Sequence, residues 1–127
     1  MSKRRMERLN EQLKREIVEI LRRDVRDPRV GPVTLTEVET SSDLAVARIY
    51  VHAMDEGAER RAELMEGLRA AAPYIRGEVG RRLHIRRSPE LVWMWDEAFE
   101  HAQRIERLLA QVRPPDQSEG ETGADDD

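Results

Sequence analysis

Residues 27–51 read DPRVGPVTLTEVETSSDLAVARIYV, and this stretch indicates where the first helix ends and where two strands follow. Its first six residues include two prolines and a glycine, which end any helix that precedes them. Residues 33–40 are rich in Val and Thr, and residues 44–53 place Ala, Ile and Val at alternate positions, so both segments are predicted to be strands. Because only residues 41–43 separate these strands, we predict an antiparallel hairpin.

Helical and strand patterns continue on both sides of the hairpin. Residues 2–23 repeat apolar side chains every three or four positions, which predicts an amphipathic helix. Residues 90–96 alternate as a third strand, and residues 97–112 predict a last helix whose apolar side chains turn inward. Two prolines end that helix, and the polar residues 114–127 cannot form a core. We therefore expect one domain, residues 1–113, followed by a disordered acidic tail.

A third helical pattern lies between the second and third strands. Its apolar residues run from Leu64 to Leu83 at helical spacing and continue past Pro73. A proline inside a helix removes one backbone hydrogen bond and bends the helix. We therefore predict two helices, residues 58–72 and 74–84, joined by a kink.

The opposite side of this helical pattern carries few side-chain atoms. Pro73, Gly77, Gly80 and His84 are spaced by four, three and four residues. Such a bare helix surface lets another backbone come close, either an RNA strand contacted by neighbouring arginines or another part of the protein. Gly77 and Gly80 also form a G-x-x-G pattern, as in the RNA-gripping loop of KH domains. Because helical spacing continues through this pattern, we favour glycines within a helix.

Composition limits the classes of protein that fit this sequence. With 127 residues, 39% of them hydrophobic, the chain can build a single modest core. It has no cysteine, which excludes disulfide scaffolds, thiolate nucleophiles and Cys-based metal centres. No apolar run approaches the roughly 18 residues of a membrane helix, and the N-terminal residues lack the apolar run of a secretory signal. We expect a soluble cytoplasmic protein.

The net charge of −4 averages over unlike segments. Residues 114–127 hold six acidic side chains and no basic one, and without them the net charge is +2. Residues 1–29 carry ten basic and six acidic side chains, and residues 69–87 carry six and one. Of the 22 cations 20 are arginine, whose planar guanidinium suits phosphate geometry. The two arginine-rich blocks indicate nucleic-acid binding, although a solvated, ion-paired face accounts for the same pattern.

Residue patterns typical of enzymes are absent from the sequence. It contains no G-x-S-x-G, no P-loop and no G-x-G-x-x-G. Glu97 and His101 share a helix face as a metal pair would, but a surface polar pair is the simpler interpretation. Asp96 and Glu97 fit the acidic N-terminus of the last helix better than an acid–base pair. We predict no enzyme, no metal and no cofactor.

Several segments together resemble the bacterial ribosome-binding factor A family. They are residues 25–31 (VRDPRVG), 33–38 (VTLTEV), 41–51 (SSDLAVARIYV), 74–76 (YIR) and 89–91 (PEL), the last leading to Asp96. The resemblance covers about residues 4–112. The order helix, strand, strand, helix, kink, helix, strand is also that of a type II KH domain. The resemblance therefore implies an α+β fold, a single KH type II-like domain with a C-terminal helix and a three-stranded sheet packed on helices.

The resemblance also implies a function. Members of the family are non-enzymatic assembly factors that bind the free small (30S) ribosomal subunit and support its late maturation, including processing of the 16S rRNA precursor. Their contacts reach the 5′-terminal helix region of that RNA, the neck and the decoding region, and growth in the cold depends on them. The family replaces the KH glycine loop with an Ala-x-Gly kink. The aligned residues here are Ala71, Ala72 and Pro73, so proline stands where glycine is usual.

We predict a monomer that binds the 30S subunit and its 16S rRNA through phosphate contacts, without reading bases. The arginines predicted to make these contacts are Arg4, Arg5, Arg8, Arg15, Arg76, Arg81, Arg82, Arg86 and Arg87. One alternative is a general single-stranded RNA-binding KH-type protein that grips RNA with residues 77–80. Another is a protein-interaction module that recruits partners through the acidic tail and the last helix.

Overall fold

The computed structural model describes residues 2–54 and 57–112, which form three helices and three strands. In chain order these are α1 (Lys3–Arg23), β1 (Thr34–Thr40), β2 (Val46–His52), α2 (Ala58–Leu83), β3 (Glu90–Trp95) and α3 (Glu97–Val112). The α+β class predicted from the sequence is confirmed.

The three strands form one mixed sheet in the order β1-β2-β3. β1 and β2 are antiparallel, with Thr40 opposite Ala47, so the predicted hairpin is confirmed. β2 and β3 are parallel, with Val51 opposite Trp95. Parallel neighbours need a long crossover connection, and α2 provides it.

The hydrophobic core combines side chains from the sheet, α1 and α2. Its fully buried members are Leu13, Ile17 and Ile20 of α1, Ala47, Ile49 and Val51 of β2, and Leu68, Ile75 and Val79 of α2. On α1 these residues follow the three- and four-residue spacing, and on β2 they alternate. The helical and strand periodicities therefore identified the buried faces of both elements.

α2 is one continuous helix across Pro73, so the predicted division into helices 58–72 and 74–84 is wrong. Leu68 and Ile75, on either side of the proline, are both fully buried in the same core, whereas Pro73 itself is exposed. Proline removes only one backbone hydrogen bond, and the packing of the flanking turns offsets that loss.

The chain divides into two units, Met1–Asp96 and Glu97–Asp127, and α3 is the described part of the second. α3 buries none of its residues, and Leu108 and Val112 are 54% and 74% exposed. The prediction that its apolar side chains turn inward is therefore wrong, because amphipathic spacing shows which side chains share a face but not what covers that face. The predicted tail, residues 114–127, lies outside the described residues.

Candidate nucleic-acid interface

The four arginines predicted on the first helix lie in α1 and are all exposed. Arg4, Arg8 and Arg15 are spaced by four and seven residues, so they share the face opposite the buried side chains; we call them the α1 arginine row. Arg5 lies about 100° round the helix from Arg4. Within residues 2–54 and 57–112, none of these four guanidiniums forms an ion pair, so their charges are available to an anion.

The start of α1 adds to this positive charge. The Ser2 hydroxyl accepts a hydrogen bond from the Arg5 backbone N–H at 3.1 Å and so caps the helix. The first turn contains no acidic residue, and it carries Arg4 and Arg5 instead. Because the N-terminal end of a helix is the positive end of its dipole, the arginines and the dipole attract anions together.

Arg82 of α2 has a different environment from the α1 arginine row. Its guanidinium lies 3.1 Å from Glu16, 3.0 Å from Glu19, 3.6 Å from Asp24 and 3.4 Å from Glu78. We call this group the Arg82 cluster. The hydrogen bond to Glu16 is the main reason that the pKa of Arg82 is raised. Three of the four carboxylates come from α1 or the residue that ends it, so the cluster ties α1 to the end of α2.

Arg76 of α2 is also bound within the protein. Its Nε donates to the Pro89 carbonyl and its Nη2 to the Ser88 carbonyl, both at 3.0 Å. In return the Ser88 hydroxyl donates to the Arg76 carbonyl at 2.8 Å. Arg76 therefore fastens the loop between α2 and β3 to the last turns of α2.

A shallow groove of about 480 Å³, which we call the α2 groove, lies between the end of α2 and this loop. Its lining residues are Arg76, Gly77, Gly80, Arg81, Ile85, Arg86, Arg87 and Ser88. Arg81, Arg86 and Arg87 are exposed. Arg81 is also paired with Glu78 at 2.7 Å, and this hydrogen bond lowers the pKa of the Glu78 carboxyl. The structure thus brings four of the nine predicted arginines together.

Gly77 and Gly80 lie inside α2, so the prediction of glycines within a helix is confirmed. A Cβ at Gly80 would lie 2.8 Å from the Ser88 hydroxyl oxygen, so the protein's own loop fills that side of the helix. A Cβ at Gly77 would meet only the Arg81 guanidinium, at 3.7 Å. The bare surface noted in the sequence therefore divides into a packing contact at Gly80 and an open position at Gly77.

The predicted kink residues Ala71, Ala72 and Pro73 lie in the middle of α2. Ala71 and Ala72 are half-buried and pack against the core, whereas Pro73 is exposed. The kink expected at these three residues stays a prediction.

Sequence reasoning missed how the loop after α1 is held. Asp27 accepts hydrogen bonds from the Arg29 backbone N–H at 2.9 Å and from its Nη2 at 2.6 Å, and these lower the pKa of Asp27 to about 2. Arg60 Nη1 of α2 donates to the Arg29 carbonyl at 2.9 Å. Gly31 has a φ of +53°, and a Cβ there would lie 2.7 Å from Arg60 Nη2. The Asp-x-Arg spacing indicates the first contact, but nothing local indicates Arg60.

The other candidate sites considered in the sequence gain no support from the structure. Asp96 accepts a hydrogen bond from the Thr36 hydroxyl, which links β3 to β1. In the described part of the chain, no group of three or more acidic or histidine side chains could hold a metal ion. In the same ranges, no helix combines the length and apolarity needed to cross a bilayer.

A cavity of about 690 Å³ next to the loop after α1 shares no lining residue with the α2 groove. Most of its lining is aliphatic, from residues such as Val18, Val33 and Met54. Its one lining carboxylate among the described residues is that of Asp27, which is already bonded to Arg29. The lining of this cavity is therefore mainly apolar, and its described residues offer no acid–base pair.

Comparison with known proteins shows which family this chain is similar to. The family model described as "Ribosome-binding factor A" matches residues 5–109. A ribosome-binding factor A of Halothermothrix orenii is 41% identical over 123 residues, covering 97% of this chain and all of that protein. One of Natranaerobius thermophilus is 43% identical over 112 residues, covering 88% of this chain and 85% of the relative.

Solved structures are similar as well. The crystal structure of ribosome-binding factor A from Thermus thermophilus superposes with a TM-score of 0.64 at 29% identity, over 71% of this chain and 93% of that one. A homology model of the Thermus thermophilus protein, fitted into the cryo-EM map of its complex with the 30S subunit, gives a TM-score of 0.59 at 30% identity, over the same shares. The solution structure of a Thermotoga maritima protein described as a ribosome-binding factor A has a TM-score of 0.64 at 29% identity, over 71% of this chain and 85% of that one.

Proposed function

Since the chain belongs to the ribosome-binding factor A family, we propose that it is an assembly factor that binds the free 30S ribosomal subunit. It assists late maturation of the subunit and processing of the 16S rRNA precursor, and it contacts the 5′-terminal helix region of that RNA. The complex of the related Thermus protein with the 30S subunit supports this partner. We propose that it acts in the cytoplasm as a monomer and without a catalytic step of its own.

The α1 arginine row is the observation that carries this proposal. Arg4, Arg8 and Arg15 form one exposed face of a helix, with Arg5 beside them, and no carboxylate in the described residues pairs with them. Guanidiniums neutralise phosphates and release their counterions, which gives affinity for RNA of any sequence. Sequence recognition is not required, because the shape of the subunit selects where the protein can dock.

Among the nine predicted arginines we assign two groups of roles. Arg4, Arg5, Arg8, Arg15, Arg81, Arg86 and Arg87 are the proposed phosphate contacts. Arg82 and Arg76 hold the structure together, since one is surrounded by four carboxylates and the other is bonded to two backbone carbonyls. A bound carboxylate competes with a phosphate for the same guanidinium donors.

Co-sedimentation tests this function directly. The protein is incubated with free 30S subunits, with 70S ribosomes and with a short single-stranded RNA, each at low and at moderate salt. We expect retention on free 30S subunits only. Preference for the short RNA would instead indicate a general single-stranded RNA-binding protein, and absence of 30S binding would refute the proposal.

A triple variant tests the α1 arginine row. Arg4→Gln/Arg8→Gln/Arg15→Gln should weaken 30S binding. It should also make the fall of log affinity with log salt shallower, by about 2 to 3 in slope, because each phosphate contact contributes about 0.7 to 0.9. The matched control, Arg48→Gln/Arg69→Gln/Arg104→Gln, removes the same charge from other exposed positions. Equal losses in both variants would mean that only net charge matters and that α1 holds no specific contact.

A further inference from the structure

The surface of α2 at Gly77 is bare and open. Gly77 is exposed, and a side chain there would meet only the Arg81 guanidinium, at 3.7 to 3.8 Å. Glycine weakens a helix interior relative to alanine, so an exposed helical glycine that no neighbouring backbone requires is unusual. Its absence of a side chain therefore leaves room for something outside the folded chain.

The walls around Gly77 are cationic. Arg81 lies one turn further along α2, and Arg86 and Arg87 stand on the loop that follows the helix. The bonds from Arg76 to Ser88 and Pro89 fix that loop against α2, and the tight contact of Ser88 with Gly80 holds it close. The α2 groove is thus lined by arginines from both the helix and the loop, and the loop is held against the helix.

Charge inside the α2 groove is almost uncompensated. None of its lining residues is acidic, and within the described ranges neither Arg86 nor Arg87 forms an ion pair. Glu78 lies next to the groove and pairs with Arg81, but it also contacts Arg82, so its single charge serves two guanidiniums. An anion in the groove would face three exposed guanidiniums, only one of which has a carboxylate partner.

We infer that the α2 groove holds the sugar–phosphate backbone of an RNA strand, which passes over Gly77 with its phosphates on Arg81, Arg86 and Arg87. This inference rests on the proposed function and adds to it the path of the RNA strand, which crosses α2 at Gly77 between the phosphate contacts of Arg81, Arg86 and Arg87. The groove is shallow, so it receives a passing chain without enclosing an isolated ion. Ile85 is its one aliphatic lining residue, so a peptide would find little apolar surface to bury.

The Arg82 cluster gives the α2 groove and the α1 arginine row a fixed relation. It joins Glu16 and Glu19 of α1 to Arg82, which follows directly on Arg81 of the groove. Two binding surfaces on one rigid body act together, because the second binds at a high effective concentration once the first is engaged. Loss of either surface should therefore weaken 30S binding strongly.

Substitution of Gly77 tests the floor of the groove. Gly77→Ala and Gly77→Leu both favour the helix, so the melting temperature should rise or stay unchanged. Affinity for purified 30S subunits should nevertheless fall, by about threefold for Ala and about tenfold or more for Leu, because a side chain holds the RNA backbone away from α2. Ala62→Leu, at an exposed position of the same helix, is the matched control and should bind as the wild type does.

A charge variant tests the walls. Arg86→Gln/Arg87→Gln should weaken 30S binding about tenfold and make the fall of log affinity with log salt shallower, by about 1.4 to 1.8 in slope. The control Arg48→Gln/Arg69→Gln should change the affinity and the slope little. If the wild type binds 30S subunits and Gly77→Leu binds equally well, the inference is overturned while the proposed function stands. If the wild type does not bind 30S subunits, the proposed function itself fails.

Two further outcomes are decisive. If Gly77→Leu lowers the melting temperature, Gly77→Ala, whose Cβ makes only an ordinary contact, decides the question. If the wild type prefers one short RNA sequence over others of equal length, and Gly77→Ala abolishes that preference, the groove reads bases and the inference of backbone contact is overturned.

Discussion

Arg81 and Arg82 are adjacent in the sequence and have opposite surroundings. The Arg81 side chain is 68% exposed and pairs with one carboxylate, whereas that of Arg82 is 28% exposed and contacts four. A helix turns about 100° per residue, so neighbouring residues necessarily lie on different faces. Residue type alone therefore does not distinguish an arginine that is exposed on the surface from one that holds two helices together.

Alanine substitution of the two arginines should separate their roles. Arg82→Ala leaves Glu16, Glu19, Asp24 and Glu78 without their shared cation, so it should lower the melting temperature by roughly 5 °C. Arg81→Ala should change the melting temperature little and should weaken 30S binding at a temperature where both variants are folded. Thermal unfolding followed by circular dichroism, together with co-sedimentation, measures both effects. A stable Arg82→Ala variant with weakened binding would assign Arg82 to the RNA instead.

Asp27 should make the stability of the protein depend on pH. The Arg29 hydrogen bonds lower its pKa from 3.8 to about 2 in the folded protein, so its contribution is complete above pH 3.8 and is lost as the pH falls through 2. Asp27→Asn should therefore unfold at lower urea concentration than the wild type at pH 6, and the difference should shrink between pH 4 and 2. Glu37→Gln on β1 is the control for charge. An NMR titration in which the Asp27 carboxyl group has a midpoint near pH 4 would contradict the prediction.

At the scale of the element, α2 combines a proline with an unbroken helix. The turns on either side of Pro73 are anchored by Leu68 and Ile75 in the core, and Pro73 faces solvent. The helix therefore tolerates a residue that removes one of its hydrogen bonds, because tertiary packing supplies most of its stability. The same packing explains why a helix-breaking residue in the sequence wrongly predicted two helices.

Replacement of Pro73 shows what the proline costs and what it does. Pro73→Ala should stabilise the protein by about 1 to 2 kcal/mol, since proline disfavours a helix interior by about 3 kcal/mol relative to alanine and part of this is offset by the freer unfolded chain. Pro28→Ala, in the loop after α1, is the control and should destabilise slightly. Urea unfolding measures both. If Pro73→Ala is more stable but binds 30S subunits less well, the shape that proline gives α2 serves binding. A Pro73→Ala variant that is less stable than the wild type would contradict the prediction that proline destabilises this helix.

At the scale of the whole molecule, positive charge is concentrated on two surfaces of a chain whose net charge is negative. The α1 arginine row and the α2 groove belong to the unit Met1–Asp96, and the Arg82 cluster links the helices that carry them. Residues 114–127 contribute six negative charges, without which the net charge is +2. We propose that these residues compete with RNA for the cationic surfaces and so limit non-specific binding.

Deletion of residues 114–127 should tighten binding to bulk RNA. Filter binding to poly(U) at low salt should show a several-fold gain in affinity, and the gain should nearly vanish at 0.5 M salt, where charges are screened within a few ångströms. A full-length variant with the six carboxylates changed to amides should behave as the deletion does. If both variants bind poly(U) with unchanged affinity, residues 114–127 do not compete with RNA.

The three strands, the hairpin, α1 and the buried faces of α1 and β2 follow from the sequence alone. These depend on local periodicity: the spacing of Leu13, Ile17 and Ile20 marks the buried face of α1, and the alternation of Ala47, Ile49 and Val51 marks that of β2. Short segments, among them residues 25–31, 33–38 and 41–51, also indicate the family that the comparisons confirm.

Which charged side chains are paired and which helix surfaces are open depends on the tertiary structure. Arg82 meets Glu16 across 66 residues of sequence, and Ser88 fills the space at Gly80 while leaving Gly77 open. Periodicity records which side chains of one element share a face, whereas charge pairing and close packing depend on contacts between elements, which no local pattern contains.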